Sequence, residues 1–124
     1  MGWSKPTIAV VSIGFLHVLF MLGELLRWKS PFIMNLVLDK WGLHLPTDQS
    51  PFVSSVVHNA GIYNGIVAVG LFAAASLGPQ GRRVQLTLLT GGVVAGVFGG
   101  LTLTPETFVQ AILGVIALAV VFRA

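Results

Sequence analysis

Cysteine is absent from the 124 residues. That removes disulfides, thiolate metal sites, iron–sulfur clusters and cysteine nucleophiles together. Charge is nearly as scarce. Asp, Glu, Lys and Arg make up 9% of the chain, against about 25% in a soluble domain. The net charge of +3 is scattered, and no basic run with interleaved aromatics exists, which excludes nucleic acid as a partner. No Ser-His-Asp grouping is evident. Asp39, His44 and Asp48 share one connection, but their spacing matches no standard metal-ligand pattern and reads as surface.

What fills the chain is apolar: 55% of its residues are hydrophobic. Four stretches with little or no charge cover about 7–28, 52–77, 84–101 and 105–122. A bilayer core takes about 20 apolar residues per helix, so four spans and short loops use up the length. The predicted fold is all-α, an integral membrane four-helix bundle forming one domain over 1–124, with membrane lipid as its surroundings. The first span is too long for a signal-peptide core, lacks a following small-x-small site, and is read as retained. Pro6 suits its first turn, and Trp3 and Trp28 flank it as an aromatic belt would. In the connection over 29–51, Phe32, Ile33, Leu36 and Val37 recur at helical spacing, which predicts a short interfacial helix. Asp48 or Ser50 is placed to cap the second span, and Thr104-Pro105-Glu106 to open the fourth.

Glycines recur every four residues at Gly92, Gly96 and Gly100 in the third span and at Gly61 and Gly65 in the second. This spacing lets helix backbones touch in lipid, either inside one bundle or between copies in a homo-oligomer.

Polar groups in hydrocarbon are costly, and each asks for a reason. His17 and Glu24 are seven residues apart and share a face of the first span. Glu24 is the only carboxyl well inside a span. Removal from water favours the proton-carrying form of such a group, a state suited to acid catalysis, although Arg27 and Lys29 are close enough for an ion pair. His17 alone reads as a bundle histidine satisfied by a neighbouring helix. The second span holds the densest cluster, HNAGIYNG, with His58, Asn59, Tyr63 and Asn64 inside two turns. Asn59 and Tyr63 share a face, while the four together wrap most of the helix. One pocket does not easily collect all four, but interhelical glue needs fewer groups, so the cluster reads as a site, with Asn59, Tyr63 and Asn64 facing Glu24 inside the bundle. Gln110 lies in the first half of the fourth span.

In order along the chain, LHVLFMLGELLRW with Glu24 and Trp28, NAGIYNGIVAVGL, VAGVFGGLT and FVQAILGVIALAV resemble the bacterial membrane proteins called the domain of unknown function 1304 family. The resemblance spans nearly the whole chain. It implies a four-helix membrane fold and brings no activity; His58 departs from its usual apolar residue. A second likeness, confined to helix two, is to styrene oxide isomerases, small four-helix membrane enzymes that bind haem b and rearrange epoxides to aldehydes. They carry a haem-ligating histidine followed six residues later by an asparagine, the spacing of His58 and Asn64. By that likeness His58 is the axial ligand of haem iron and Asn64 orients the epoxide oxygen. Their helix-three tyrosine has no counterpart; VAGVFGG offers Phe98.

Together these features point to an intramembrane isomerase or cyclase that opens a small lipophilic epoxide. The acid is either haem iron on His58 or protonated Glu24 backed by Asn59, Tyr63 and Asn64. The alternative is a non-enzymatic membrane protein, a small transporter or an accessory subunit; a nearly bare third span counts against a polar path. Lys5, Arg82, Arg83 and Arg123 fall on one side, Arg27, Lys29 and Lys40 on the other, and Arg82-Arg83 occupy a very short loop. The expected location is the cytoplasmic (inner) membrane with both termini in the cytoplasm. Reporter fusions at the two termini should give the same, cytoplasmic signal; opposite signals would mean a miscounted span.

Overall fold

The computed structural model describes residues 2–32 and 50–124. The expected interfacial helix, the Asp39–His44–Asp48 group and Asp48 as a cap lie outside the described residues. Four helices dominate. Helix α1 (Lys5–Leu22) continues into a π-helical turn (Gly23–Arg27); α2 is Ser50–Ser76, α3 is Arg82–Thr102 and α4 is Phe108–Phe122. With their flanking turns, all four are long and apolar enough to cross a membrane. The fold is an all-α four-helix bundle of a multi-pass membrane protein.

The helix ends follow from local chemistry. Ser4 caps α1, its hydroxyl accepting from the Thr7 N–H at 3.3 Å, with a proline in the first turn. Thr104 accepts from the Glu106 N–H at 3.3 Å, and its hydroxyl also meets the Glu106 carboxyl. The turn it starts, Pro105–Thr107, is 3-10 before α4 proper begins. Gly78, at φ 56°, takes the left-handed conformation that ends α2. Buried Gln85 then donates to the Ala74 carbonyl at 2.8 Å, supplying a partner to the last turn of α2. Arg82 does the same for α4, donating to the Phe122 carbonyl at 2.7 Å.

Packing runs in chain order around a ring: α1 lies mainly on α2, α3 mainly on α4, and α1–α4 and α2–α3 close the bundle. An apolar core of Val10, Ile13, Leu71, Leu89, Ala117 and Val121 fills one end. Val10 is near the start of α1 and Val121 near the end of α4, so both termini and the α2–α3 turn share that end. The opposite faces of the helices expose residues such as Phe15, Leu19, Ile66 and Ile116. For a helix in lipid this is the expected partner, not a defect. Trp3 is exposed near the start of α1, as a belt residue should be. Trp28 is not: it is buried directly after the π-turn, with the Lys29 ammonium 5.4 Å from its ring centre. Trp28 stands eleven residues after His17, a spacing that keeps it near the same face of the helix.

The glycine faces form two separate seams inside the chain. A Cβ on Gly65 would lie 2.7 Å from Met21 Sδ, and one on Gly61 would lie 3.0 Å from Leu25 Cγ. These glycines set α2 against α1. On the other side, a Cβ on Gly96 would lie 2.6 Å from the backbone N of Ala111, and one on Gly100 2.6 Å from the Phe108 ring. Gly91, by contrast, meets nothing within 4 Å. Gly96→Ala should therefore destabilise the protein in detergent by about 1–3 kcal/mol, the usual cost of overpacking against backbone, while Gly91→Ala leaves thermal stability unchanged or slightly raised. Equal melting temperatures for the two variants would contradict the α3–α4 seam.

Candidate functional site

The close approach of α1 and α2 brings three polar side chains together midway along the bundle. His17 and Glu24 project from α1 and its π-turn, two turns apart on one face, and Asn64 projects between them from α2. The amide of Asn64 uses both ends. Its Oδ1 is 2.7 Å from His17 Nδ1, and its Nδ2 donates to Glu24 Oε2 at 2.7 Å. Glycine makes this geometry reachable: Gly65 follows Asn64 directly, and a Cβ on Gly61 would lie 3.2 Å from Glu24 Cβ. Larger residues at these two positions would hold the helices too far apart for a short amide to span.

The bonding fixes the histidine tautomer. An amide oxygen only accepts, so His17 Nδ1 carries a hydrogen, and in the neutral imidazole Nε2 is then a bare lone pair. His17 is only 3% exposed, and its Nε2 is fully buried without a hydrogen-bond partner. The Phe20 ring packs edge-on against the imidazole at 6.0 Å. Across the bundle, α3 and α4 present Gly92 and Gln110. Gln110 is buried and donates to the Gly92 carbonyl at 2.9 Å. A Cβ on Gly92 would lie 3.5 Å from His17 Nε2 and 3.9 Å from Gln110 Nε2. Polar groups from all four helices thus converge on the interior at one level.

Glu24 is half-buried. Its carboxyl takes Asn64 as partner, not Arg27 or Lys29. The second oxygen, Oε1, is the acid's remaining hydrogen-bonding group.

Of Asn59, Tyr63 and Asn64, expected to face Glu24, Asn64 alone meets it. Tyr63 is 62% exposed, and Asn59 and His58 are exposed as well. All three point away from the bundle interior. The six-residue step from His58 to Asn64 turns the helix by about 240°, so the two side chains leave α2 in directions about 120° apart, one outward and one toward His17 and Glu24. No group of three or more His, Cys, Asp or Glu that could hold a metal ion occurs among the described residues. In the other direction, His17, Gln110 and Gly92 join a polar interior that residue spacing alone does not assemble. The available signal for His17 was its seven-residue spacing from Glu24.

No curated protein and no solved structure matches the chain. One family model does match, over residues 11–122. That range includes His17, Glu24, Asn64, Gly92 and Gln110, all of α2, α3 and α4, and α1 from Val11 onward. The chain therefore belongs to the family described as protein of unknown function (DUF1304).

Proposed function

We propose that the protein is an intramembrane isomerase or cyclase that opens a small lipophilic epoxide, with Glu24 as the acid. The observation that carries this reading is the hydrogen bonding of Asn64 to both His17 and Glu24 at the α1–α2 seam. In this reading the Glu24 carboxyl carries the proton that the substrate receives. A donor held on one carboxyl oxygen leaves the other to give its proton away, and stabilises the carboxylate that results.

The reaction balances without any co-reactant. Glu24 donates its proton to the epoxide oxygen as one carbon–oxygen bond breaks, giving a hydroxyl and a carbocation. In an isomerisation, hydride moves from the hydroxyl-bearing carbon to the cation, and the hydroxyl proton returns to Glu24 as the carbonyl forms. In a cyclisation, an alkene attacks the cation and a carbon-bound proton is lost to the carboxylate instead. Asn64 is a positioning residue that holds the carboxyl, and His17 in turn holds Asn64. Tyr63 and Asn59, on the exposed side of α2, are assigned by this reading to the approach of the substrate from lipid and not to the proton transfer.

A small transporter fits less well. The polar residues gather at one level, and the terminal end of the interior is closed by Val10, Leu71, Leu89 and Val121, each 0–1% exposed. For orientation we infer that this end, with Arg82 and Arg83, faces the cytoplasm.

The test is turnover by purified protein in lipid vesicles, offered an aryl epoxide and a long-chain alkyl epoxide, with the isomeric carbonyl product resolved by mass and retention. Glu24→Gln keeps shape and hydrogen bonding but removes the acid, and should lower the rate by about 10²–10⁴-fold. Asn64→Ala should lower it less. Undiminished turnover in Glu24→Gln, or none in the unaltered protein, would remove the enzymatic reading.

A further inference from the structure

We infer that the interior junction of His17, Gly92 and Gln110 is a binding site for a neutral hydroxyl group. The argument is independent of epoxide chemistry and begins from the orphaned nitrogen. His17 Nε2 is buried and has no hydrogen-bond partner in the protein. Its tautomer is set from the other side of the ring, because Asn64 Oδ1 only accepts. Nε2 is therefore an acceptor, and the group that satisfies it must bring its own hydrogen.

The surroundings narrow the class of that group. Among the described residues, the acid bonded into this network is Glu24, which lies on the far side of Asn64. The facing residue on α3 is glycine, and around the position of its absent Cβ nothing comes closer than 3.5 Å. This is the one glycine of the Gly92–Gly96–Gly100 series whose missing side chain faces polar atoms at ordinary contact distance instead of tightly packed neighbours. The Gln110 amide nitrogen beside it donates one hydrogen to the Gly92 carbonyl and keeps a second. A hydroxyl suits this pair: its hydrogen goes to Nε2, and its oxygen accepts from the amide. A cation finds no carboxylate there, an anion would face the Nε2 lone pair, and an ether or ester oxygen cannot donate to it. Two sources carry the right chemistry, water and the hydroxyl of a lipophilic alcohol entering from the bilayer.

The experiment is nitrogen-15 magnetic resonance of the histidine side chains in lipid vesicles, with His17→Phe used to assign the His17 signals. The site predicts that Nε2 is unprotonated and has the lowered shift of a nitrogen accepting a hydrogen bond. Adding 1-decanol should move that signal further if an alcohol hydroxyl is the occupant. If water is the occupant, the signal is unaffected by 1-decanol and shows transfer from solvent protons. Gly92→Ser should supply a hydroxyl from within, raise the melting temperature above that of Gly92→Ala, and make Nε2 insensitive to both probes. A directly protonated Nε2, or an Nε2 signal free of hydrogen bonding with and without 1-decanol, would overturn the inference. These readouts require no turnover, so they stand or fall apart from the epoxide reading.

Discussion

Inside a bilayer a polar side chain has no water to return to, and its partner must come from the protein itself. That constraint organises the interior of this bundle around Asn64. A single amide, with one accepting and one donating end, answers two groups on a neighbouring helix. Each bond is worth only about 0.6–1.7 kcal/mol in a membrane bundle, which is small beside the whole fold. Its larger consequence is directional. The amide fixes the tautomer of His17, holds one oxygen of Glu24, and ties the middle of α1 to the middle of α2 in one register. Everything assigned to the site, from the free carboxyl oxygen to the bare Nε2, follows from which way that amide is turned.

Close approach of the helices is the condition for this. Apolar area does not drive helices together in lipid, because acyl chains are as apolar as leucine. Small residues do, by letting backbones and side chains interlock. The chain uses two such seams. Gly61 and Gly65 place α2 on α1, and Gly96 and Gly100 place α3 on α4. Between the resulting pairs, the terminal end is filled with aliphatic side chains, while the middle keeps His17, Asn64 and Gln110. The bundle is thus aliphatic at one end and polar at its centre.

Much of this was legible in the sequence, and the part that was not has a physical cause. Spanning length and scarcity of charge identify the four helices, and Thr104-Pro105 marks the start of the fourth. The glycine spacing announced close packing but could not name partners: the two series pack against different helices, not against each other. The inward and outward faces of α2 were the hardest to read. In a soluble helix polar residues mark the outside, but a membrane helix is apolar on its lipid face as well, so periodicity loses its sign. His58, Asn59 and Tyr63 were therefore grouped with Asn64, although only Asn64 turns inward. The π-turn over Gly23–Arg27 left no clear trace either. His17 was undervalued because one histidine in a span is usually just satisfied; its meaning came from the neighbour that satisfies only half of it.

The most direct check on the account is a double-mutant cycle between α1 and α2. His17→Leu, Asn64→Leu and the double variant would be compared with the unaltered protein for unfolding free energy in the same lipid or detergent. If the amide of Asn64 bonds to His17 as described, the losses will be non-additive, with a coupling energy of about 0.6–1.7 kcal/mol. Additive losses, with no coupling beyond error, would mean that the two side chains do not meet, and the site built around them would have to be abandoned.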